Sequence, residues 1–318
     1  MLSHPIDISI VVPFYNGERF LPRLVESIVA SHKASSGDIF IELIIVVDSM
    51  ESDLSLLSLM VVQAVGDNAN ILPVIRKNEL NLGVAQSRNI GQRLSSGKFI
   101  AFIDQDDYIA KPYFSVLEKN LNADVDFFVL NGSIEFEKQK IHRPVFYFPV
   151  RLSFDKIARV NMLITPGLLI FNRTRANCNF RQFSSKHAGS DDWACYLELL
   201  SNTHLKFQYV NEKLIHYVVH NENYHQNKSN FIISQLRTIQ YFHRMFPENI
   251  SVRIKLSSLQ FRLKRHLSLI KFSKLTLSDI TGFFSFIFIE LFIIHNLIWL
   301  IWSKCISLHN NRLGPDNK

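Results

Sequence analysis

The sequence has few cysteines and lacks the glycine-rich motifs of the two commonest nucleotide-binding sites. Cys178, Cys195 and Cys305 are its only cysteines in 318 residues. Their spacing matches neither a zinc site nor a disulfide framework, so we expect reduced thiols in a cytosolic setting. No G-x-G-x-x-G and no G-x-x-x-x-G-K-[ST] occurs, so a Rossmann site and a P-loop both lack their signal. No basic stretch followed by a long apolar one opens the chain, and we expect no cleaved secretory signal.

The net charge of +7 is confined to one end of the chain. Residues 251–318 hold ten Lys/Arg and three acids, whereas residues 1–250 hold 25 of each and are neutral. A basic excess over the whole chain would have indicated nucleic acid as a partner. A basic segment next to an apolar one favours a membrane surface instead.

The first half of the chain alternates short apolar runs with helical patterns. Predicted strands cover 8–13, 41–47, 71–76 and 99–104, and predicted helices cover 20–32 and 84–94. This alternation predicts an α/β fold with a doubly wound, mostly parallel sheet. Ligands bind such sheets outside the carboxyl ends of the strands.

Acidic side chains follow two of the predicted strands at that edge. They are Asp48 after the second strand, Asp104 as the last residue of the fourth, and Asp106 and Asp107 just beyond it. Carboxylates brought together raise each other's pKa, and a divalent cation removes this repulsion. The alternative is that Asp106 and Asp107 cap a helix starting near Tyr108. Arg88, in NLGVAQSRNIG (81–91), is placed to reach a diphosphate, or else forms a surface salt bridge.

Four blocks together resemble the inverting family 2 glycosyltransferases of the GT-A fold. The blocks are ISIVVPFYNGERFLPRLVESI, IELIIVVD, NLGVAQSRNIGQRLSSGKFIAFIDQDD and GSDDWACYLELL. They follow the family's order: the opening strand and helix, the base-binding aspartate, the block that runs into the D-x-D metal motif, and the acidic helix start. The resemblance covers roughly residues 6–225.

The resemblance implies a role for each matching residue. Pro13, Tyr15 and Asp48 would border the nucleobase, and Arg88 would lie near the ribose or a phosphate. Asp104 would contact the ribose, and Asp106 would bind the divalent metal, Mn²⁺ or Mg²⁺, that bridges the sugar-nucleotide diphosphate. Asp192, or alternatively Asp191, would deprotonate the acceptor hydroxyl. Within YVVHNEN (217–223), His220 would approach the metal or the phosphates, the alternative being a solvent-facing loop.

Three positions depart from the family pattern. Asp48-Ser49-Met50-Glu51 replaces the usual D-D-G-S, which puts the base preference and the loop geometry in question. Asp191 stands where glutamate is more usual, and Val218 replaces an arginine. Asp106 and Asp192 both remain, which favours an active enzyme.

The tail contains two segments that indicate a membrane surface. Apolar positions from Val252 to Ile270 recur every three or four residues, with basic residues over the remaining faces, as in an in-plane amphipathic helix. Residues 280–302 are long enough to span a bilayer, although Glu290 makes a simple span costly. A helix packed on the catalytic domain would show the same stripe.

We therefore predict a GT-A domain over 1–225, with a nucleotide-sugar half (1–110) and an acceptor half (111–225), and a membrane-associating tail over 226–318. The predicted enzyme sits on the cytoplasmic face of the plasma membrane. It moves one sugar from a nucleotide sugar, expected to be UDP-linked, to a growing glycan or glycolipid, and it does not bind nucleic acid. The alternatives are a catalytically silent scaffold subunit and a sugar nucleotidyltransferase.

Overall fold

A computed structural model of the chain describes residues 5–138, 141–159, 161–181, 190–202, 204–220 and 228–246, with isolated positions between 256 and 263. The chain divides into two compact units, residues 1–234 and 235–318. The predicted domain bounds stay predictions. The segment predicted over 280–302 lies outside the described residues, as does most of 252–270. Within the described ranges, every helix is too short or too polar to cross a bilayer.

The nucleotide half follows the predicted alternation closely. Its elements are β1 (Ile8–Phe14), α1 (Leu21–Lys33), β2 (Ile41–Val47), α2 (Leu54–Val65), β3 (Ile71–Lys77), α3 (Val84–Leu94) and β4 (Phe99–Phe102). Every residue of β1, β2 and β4 is buried. Such continuous burial is expected for parallel strands covered on both faces, and it explains their unbroken apolar runs.

The second half has shorter elements. They are β5 (Tyr108–Ile109), α4 (Tyr113–Glu118), β6 (Phe127–Phe136), β7 (Ile141–Pro144), α5 (Phe154–Arg159), a 3₁₀ turn (Pro166–Leu168), β8 (Leu169–Asn172), α6 (Asp191–Ser201), β9 (Phe207–Val219) and α7 (Lys228–Met245). No helix starts at Tyr108 in the described structure. The capping explanation for Asp106 and Asp107 is therefore wrong.

The described strands form one sheet with the order β3-β2-β1-β4-β8-β6-β9-β5, and β7 pairs with β6. Strands β3, β2, β1 and β4 are parallel. β8 is antiparallel to both β4 and β6, while β6 and β9 are parallel. The expected mostly parallel sheet is thus correct for the nucleotide half and wrong for the acceptor half. The reversal begins at β8, which enters the sheet from a 3₁₀ turn instead of a crossover helix.

Close packing of α3 on β1 fixes the position of the helix that carries Arg88. A Cβ added to Gly91 would lie 2.2 Å from Val11 Cγ1, closer than any real contact. The glycine therefore lets the helix approach the strand at van der Waals distance. Because Arg88 lies one turn before Gly91 on α3, this close approach also sets the position of the backbone from which the Arg88 side chain extends.

The expectation of reduced thiols is corrected at two of the three cysteines. Cys178 and Cys195 form a disulfide with their Cα atoms 5.5 Å apart, and both side chains are buried. Cys178 lies in the segment after β8 and Cys195 in the second turn of α6, 17 residues later. The spacing carried no signal, because the packing of α6 is what brings them together.

Candidate active site

Arg88 is the central cation of an acidic cluster at the carboxyl edge of the sheet. Its Nη2 lies 2.5 Å from Asp104 Oδ1, and its Nη1 lies 2.6 Å from Asp191 Oδ2. The side chains of Arg88 and Asp191 are 5% and 7% exposed, so the ion pair is shielded from water. The surface salt bridge considered for Arg88 is therefore wrong. The guanidinium joins two elements, the loop after β4 and the start of α6.

The cluster shifts the acid–base properties of its members. Burial alone would lower the pKa of Arg88, but the charges of Asp104 and Asp191 outweigh it and the pKa is raised. Burial raises the pKa of Asp104, and the Arg88 charge opposes that rise. Burial, and then the charge of Asp191, raise the pKa of Asp192 from 3.8 to about 7. Asp192 is thus poised between its two protonation states near neutral pH.

Asp191 and Asp192 have different surroundings although they are adjacent. Asp191 is held by Arg88, whereas one oxygen of Asp192 accepts from the Trp193 amide at 2.6 Å and the other lies 3.5 Å from Asn161 Nδ2. Ser190, with a left-handed φ of 58°, precedes them and starts the helix. Of the two candidate bases, Asp192 is the one without an ion-pair partner among the described residues.

Asp106 and His220 come together from distant parts of the chain. His220 Nε2 lies 2.7 Å from Asp106 Oδ2, and the imidazole packs against the Phe20 ring with centroids 4.8 Å apart. His220 is buried, so the solvent-facing alternative is wrong; residues 221–227 lie outside the described ranges. The Asp106 carboxylate is a ligand suited to Mn²⁺ or Mg²⁺, with diphosphate oxygens and water completing the shell.

Three buried polar atoms in and around the cluster lack a hydrogen-bond partner within the described structure. They are Arg88 Nε, the Tyr196 hydroxyl and Asn161 Oδ1. Tyr196 lies one turn after Asp192 on α6, and burial raises its pKa well above 10. Buried polar groups are almost always satisfied in native proteins, so these atoms fit a site that receives a polar ligand. The i, i+4 spacing from Asp192 would have identified Tyr196 in the sequence.

Asp107 has a structural role. Its oxygens accept from Thr165 Oγ1 at 2.9 Å and from the Val218 amide at 3.0 Å. Burial, and then the charge of Asp106, raise its pKa well above 3.8. Asp107 thereby attaches β9 to the acidic loop and positions His220, two residues beyond Val218.

Asp48 organises the loop between β3 and α3. Its carboxylate accepts from Asn78 Nδ2 at 2.7 Å and from the amides of Leu82 and Gly83 at 2.8 and 2.7 Å. A carboxylate has about four acceptor positions, so one is left for another donor. Three contacts from a single aspartate explain how the loop is held without the usual second acid and glycine.

Tyr15 is held at the end of β1 by a residue that the sequence interpretation missed. Gln105 Oε1 accepts from the Tyr15 amide at 2.8 Å, and Gln105 Nε2 donates to the Tyr15 carbonyl at 3.0 Å. Tyr15 is 53% exposed, while Pro13 is buried inside β1. Gln105 is the middle residue of the D-x-D motif. Its position between Asp104, predicted to contact the ribose, and Asp106, predicted to bind the metal, was its only signal in the sequence.

Arg23 is a second missed residue. Its Nη2 donates to the Asp106 carbonyl at 2.6 Å, and its guanidinium lies 4.9 Å from the centre of the Tyr108 ring. Arg23 belongs to α1, so this contact fastens the loop after β4, which contains Asp106, to the first helix. The sequence offered no signal for it, because 83 residues separate the two partners.

Fold and site together define a glycosyltransferase of the GT-A type: a parallel nucleotide half, an acidic loop after β4 and an acidic helix start that meets it. The chain belongs to glycosyl transferase family 2, whose family model matches residues 9–178. The protein is therefore an enzyme of the class that transfers sugars. The nucleotidyltransferase alternative is wrong.

Relatives of known sequence agree with this class. An uncharacterized glycosyltransferase of Haemophilus influenzae is 33% identical over 36% of this chain and 36% of its own length. The minor teichoic acid biosynthesis protein GgaB of Bacillus subtilis is 29% identical over 35% of this chain and 12% of its own. These matches span well under two thirds of either relative. The Escherichia coli UDP-Glc:alpha-D-GlcNAc-diphosphoundecaprenol beta-1,3-glucosyltransferase WfaP is 24% identical over 73% of this chain and 85% of its own.

The fold is also similar to solved structures of S. aureus TarS. Residues 1–349 of TarS in complex with UDP-GlcNAc superpose with a TM-score of 0.61 over 88% of this chain and 79% of that chain. The same TarS fragment without a named ligand gives 0.55. Sequence identity is 15% in both, so the likeness is one of fold alone.

Proposed function

We propose that this protein is an inverting glycosyltransferase that moves one sugar from a UDP-linked donor to a hydroxyl of a lipid-linked glycan. The observation that carries the proposal is the convergence of Asp104, Asp191 and Asp192 around Arg88. Asp106 lies near Asp104 in the same acidic loop. The WfaP name, with its UDP-glucose donor and diphosphoundecaprenol acceptor, and the UDP-GlcNAc complex of TarS support the donor and acceptor classes. A lipid-linked acceptor is in turn consistent with work at the cytoplasmic membrane face.

The donor would lie along the carboxyl ends of β1, β2 and β4. Pro13 and Tyr15 would border the base, with the remaining acceptor position of Asp48 facing it, and Asp104 would meet the ribose. Asp106 and His220 would hold the divalent cation. When bound, that cation would neutralise the charge that develops on the departing diphosphate. Arg88 would keep Asp104 and Asp191 in place through its two ion pairs.

Transfer would proceed by a single displacement. Asp192 takes the proton of the acceptor hydroxyl as its oxygen forms the bond to the anomeric carbon. The bond from that carbon to the diphosphate oxygen breaks with its electron pair, and the nucleoside diphosphate leaves. Attack opposite the leaving group inverts the anomeric configuration. A positioned base of this kind contributes roughly 10²–10⁴-fold to the rate.

The test is calorimetric binding of UDP, GDP and CDP, each with and without Mn²⁺. We expect Mn²⁺-dependent binding of UDP, weakened about tenfold or more in Asp106→Asn, as for other losses around a metal. Asp67→Asn, at an exposed turn after α2, is the matched control and should bind as wild type does. Failure of the folded wild type to bind any nucleotide would favour the silent scaffold subunit. Transfer from UDP-glucose to a polyprenyl-diphosphate-linked GlcNAc, with NMR of the new anomeric centre, then tests acceptor and inversion.

A further inference from the structure

Three potential metal ligands lie together on the acceptor half of the sheet, apart from the residues assigned to the donor. They are Glu135 on β6, His142 on β7 and His216 on β9. One ligand atom from each lies within 4.8 Å of the others. Glu135 and His216 are half-buried, and His142 is exposed. Nothing in the proposed transfer uses any of the three.

The strand register explains why these side chains meet. Glu135 pairs directly with His142 across β6 and β7, and Ser133 pairs with His216 across β6 and β9. Paired residues on neighbouring strands project from the same face of a sheet, as do residues two apart on one strand. Ser133 and Glu135 are two apart on β6, so all these side chains share one face.

Hydrogen bonds orient two of the ligands. Ser133 Oγ lies 2.8 Å from His216 Nδ1, so Nε2 is the ring nitrogen left to bind a metal. The Tyr108 hydroxyl donates to Glu135 Oε2 at 2.5 Å, which leaves Oε1. The Tyr108 ring also stacks on the imidazole of His216, with centroids 4.3 Å apart. Metal-binding histidines and carboxylates usually have such supporting contacts, which fix ring orientation and tautomer.

The donor set and its surroundings select among metals. Two imidazoles and a carboxylate are the ligands of many zinc sites, whereas Mg²⁺ prefers oxygen alone. Ligand atoms around tetrahedral zinc are about 3.4 Å apart, given bonds of about 2.1 Å. The exposed His142 side chain is free of the packing that would prevent it from closing the difference. The guanidinium of Arg23 lies over the Tyr108 ring and brings a positive charge that opposes binding of a cation. The negative charge of the Glu135 carboxylate offsets it.

We propose that Glu135, His142 and His216 form a second metal site, which binds Zn²⁺ in preference to Mg²⁺ and fastens β7 to β6 and β9. In the described part of the sheet β7 pairs with β6 alone, so such a link would stabilise an edge strand. The segment after β7 exposes Tyr147 (72%) and Phe148 (80%) in the acceptor half. Zn²⁺ would hold the strand from which these aromatic side chains extend.

The test is titration of the full-length, metal-free protein with Zn²⁺ by calorimetry, and with Co²⁺ followed by visible absorption, in the absence of nucleotide. We expect one site, weakened about tenfold or more by His142→Ala and also by Ser133→Ala, which removes only a supporting contact. His204→Ala, at another exposed histidine, is the control and should bind as wild type does. Mg²⁺ in large excess should not displace the zinc.

The variant Asp106→Asn distinguishes the proposed donor site from this one. It should lose Mn²⁺-dependent UDP binding and keep the Zn²⁺ site. Thermal unfolding gives a second readout, since Zn²⁺ should raise the Tm of wild type and of His204→Ala by more than that of His142→Ala. Equal Zn²⁺ affinity in wild type and His142→Ala would overturn the proposal. So would a folded wild type that binds no Zn²⁺, whatever its nucleotide binding.

Discussion

At the scale of single residues, the pair Asp191 and Asp192 shows how one contact separates two chemically identical neighbours. Arg88 forms an ion pair with Asp191 and thereby fixes its position. Asp192 is left with raised pKa and with a neighbouring negative charge, the two conditions that make a carboxylate a better base near neutral pH. The proposed division of labour therefore follows from the position of a single guanidinium.

Asp192→Asn tests that division. We expect kcat to fall roughly 10²–10⁴-fold while UDP binding stays unchanged, because the amide cannot take a proton. In wild type, kcat/KM should rise with pH and level off above about 7, since Asp192 must be ionised to act and its pKa is about 7. Initial rates between pH 5 and 9 measure both. A full rate in Asp192→Asn would assign the proton transfer to another group.

Arg88 is predicted to be the residue whose loss costs the most stability in the cluster. Arg88→Met would leave Asp104 and Asp191 without their cation, and breaking a buried ion pair costs about 3–5 kcal/mol. Urea unfolding measures the free energy. Arg93→Met, on the exposed side of the same helix, should change it by less than about 0.5 kcal/mol. Adding Asp191→Asn to Arg88→Met should recover part of the loss; strict additivity would argue against the pairing.

At the scale of elements, the disulfide joins the segment after β8 to α6, the helix that starts with the proposed base. Cys178→Ser should lower the free energy of unfolding by about 3 kcal/mol, the expectation for a loop of this length. A thiol reductant should lower that of wild type similarly and leave Cys178→Ser unchanged. Urea unfolding with and without reductant is the measurement. Cys305→Ser should keep the wild-type response, and insensitivity of the wild type to reductant would contradict the prediction.

The elements of the nucleotide half were predictable and those of the acceptor half were less so. Strands β1 and β2 and helix α3 are buried or amphipathic over their whole length, so local periodicity identifies them. β5 has two residues and β8 has four, too few for a period to appear. Their direction in the sheet depends on partners 40 or more residues away, and the expectation of a mostly parallel sheet failed there.

At the scale of the whole molecule, crowding of carboxyl groups at one edge should make stability depend on pH. The folded-state pKa of Asp192, about 7, is above its ordinary value of 3.8, so the folded protein binds this proton more tightly than the unfolded chain does. Its contribution to stability is therefore full below about pH 4 and is lost as pH rises towards 7. We expect Asp192→Asn to be more stable than wild type at pH 8, and the difference to shrink towards pH 4.

Thermal unfolding of wild type and of Asp192→Asn between pH 4 and pH 8, with a metal chelator present, tests this dependence. Mn²⁺ with UDP should raise the Tm of wild type, because ligands that bind the folded state stabilise it. The rise should be small in Asp106→Asn. A difference between wild type and Asp192→Asn that does not change with pH would show that Asp192 titrates normally.

Much of the proposed donor site was predicted directly from the sequence. Asp48, Asp104 and Asp106 follow buried strands of a parallel sheet, and parallel strands place their carboxyl ends at one edge. The residue types and their order alone indicated carboxylate chemistry and the family to which the chain belongs. The particular roles of these aspartates, like those of Pro13, Tyr15 and His220, remain proposals.

Only the tertiary structure decided how these groups are connected. The contacts of Arg88 with Asp191, of Arg23 with Asp106 and of Cys178 with Cys195 join residues that are adjacent after folding but separated by 103, 83 and 17 positions in the chain. Local sequence encodes periodicity and turn chemistry, which act over a few residues. Ion pairing and the register of short strands depend on which elements pack together, and that is determined by burial summed over the whole sheet.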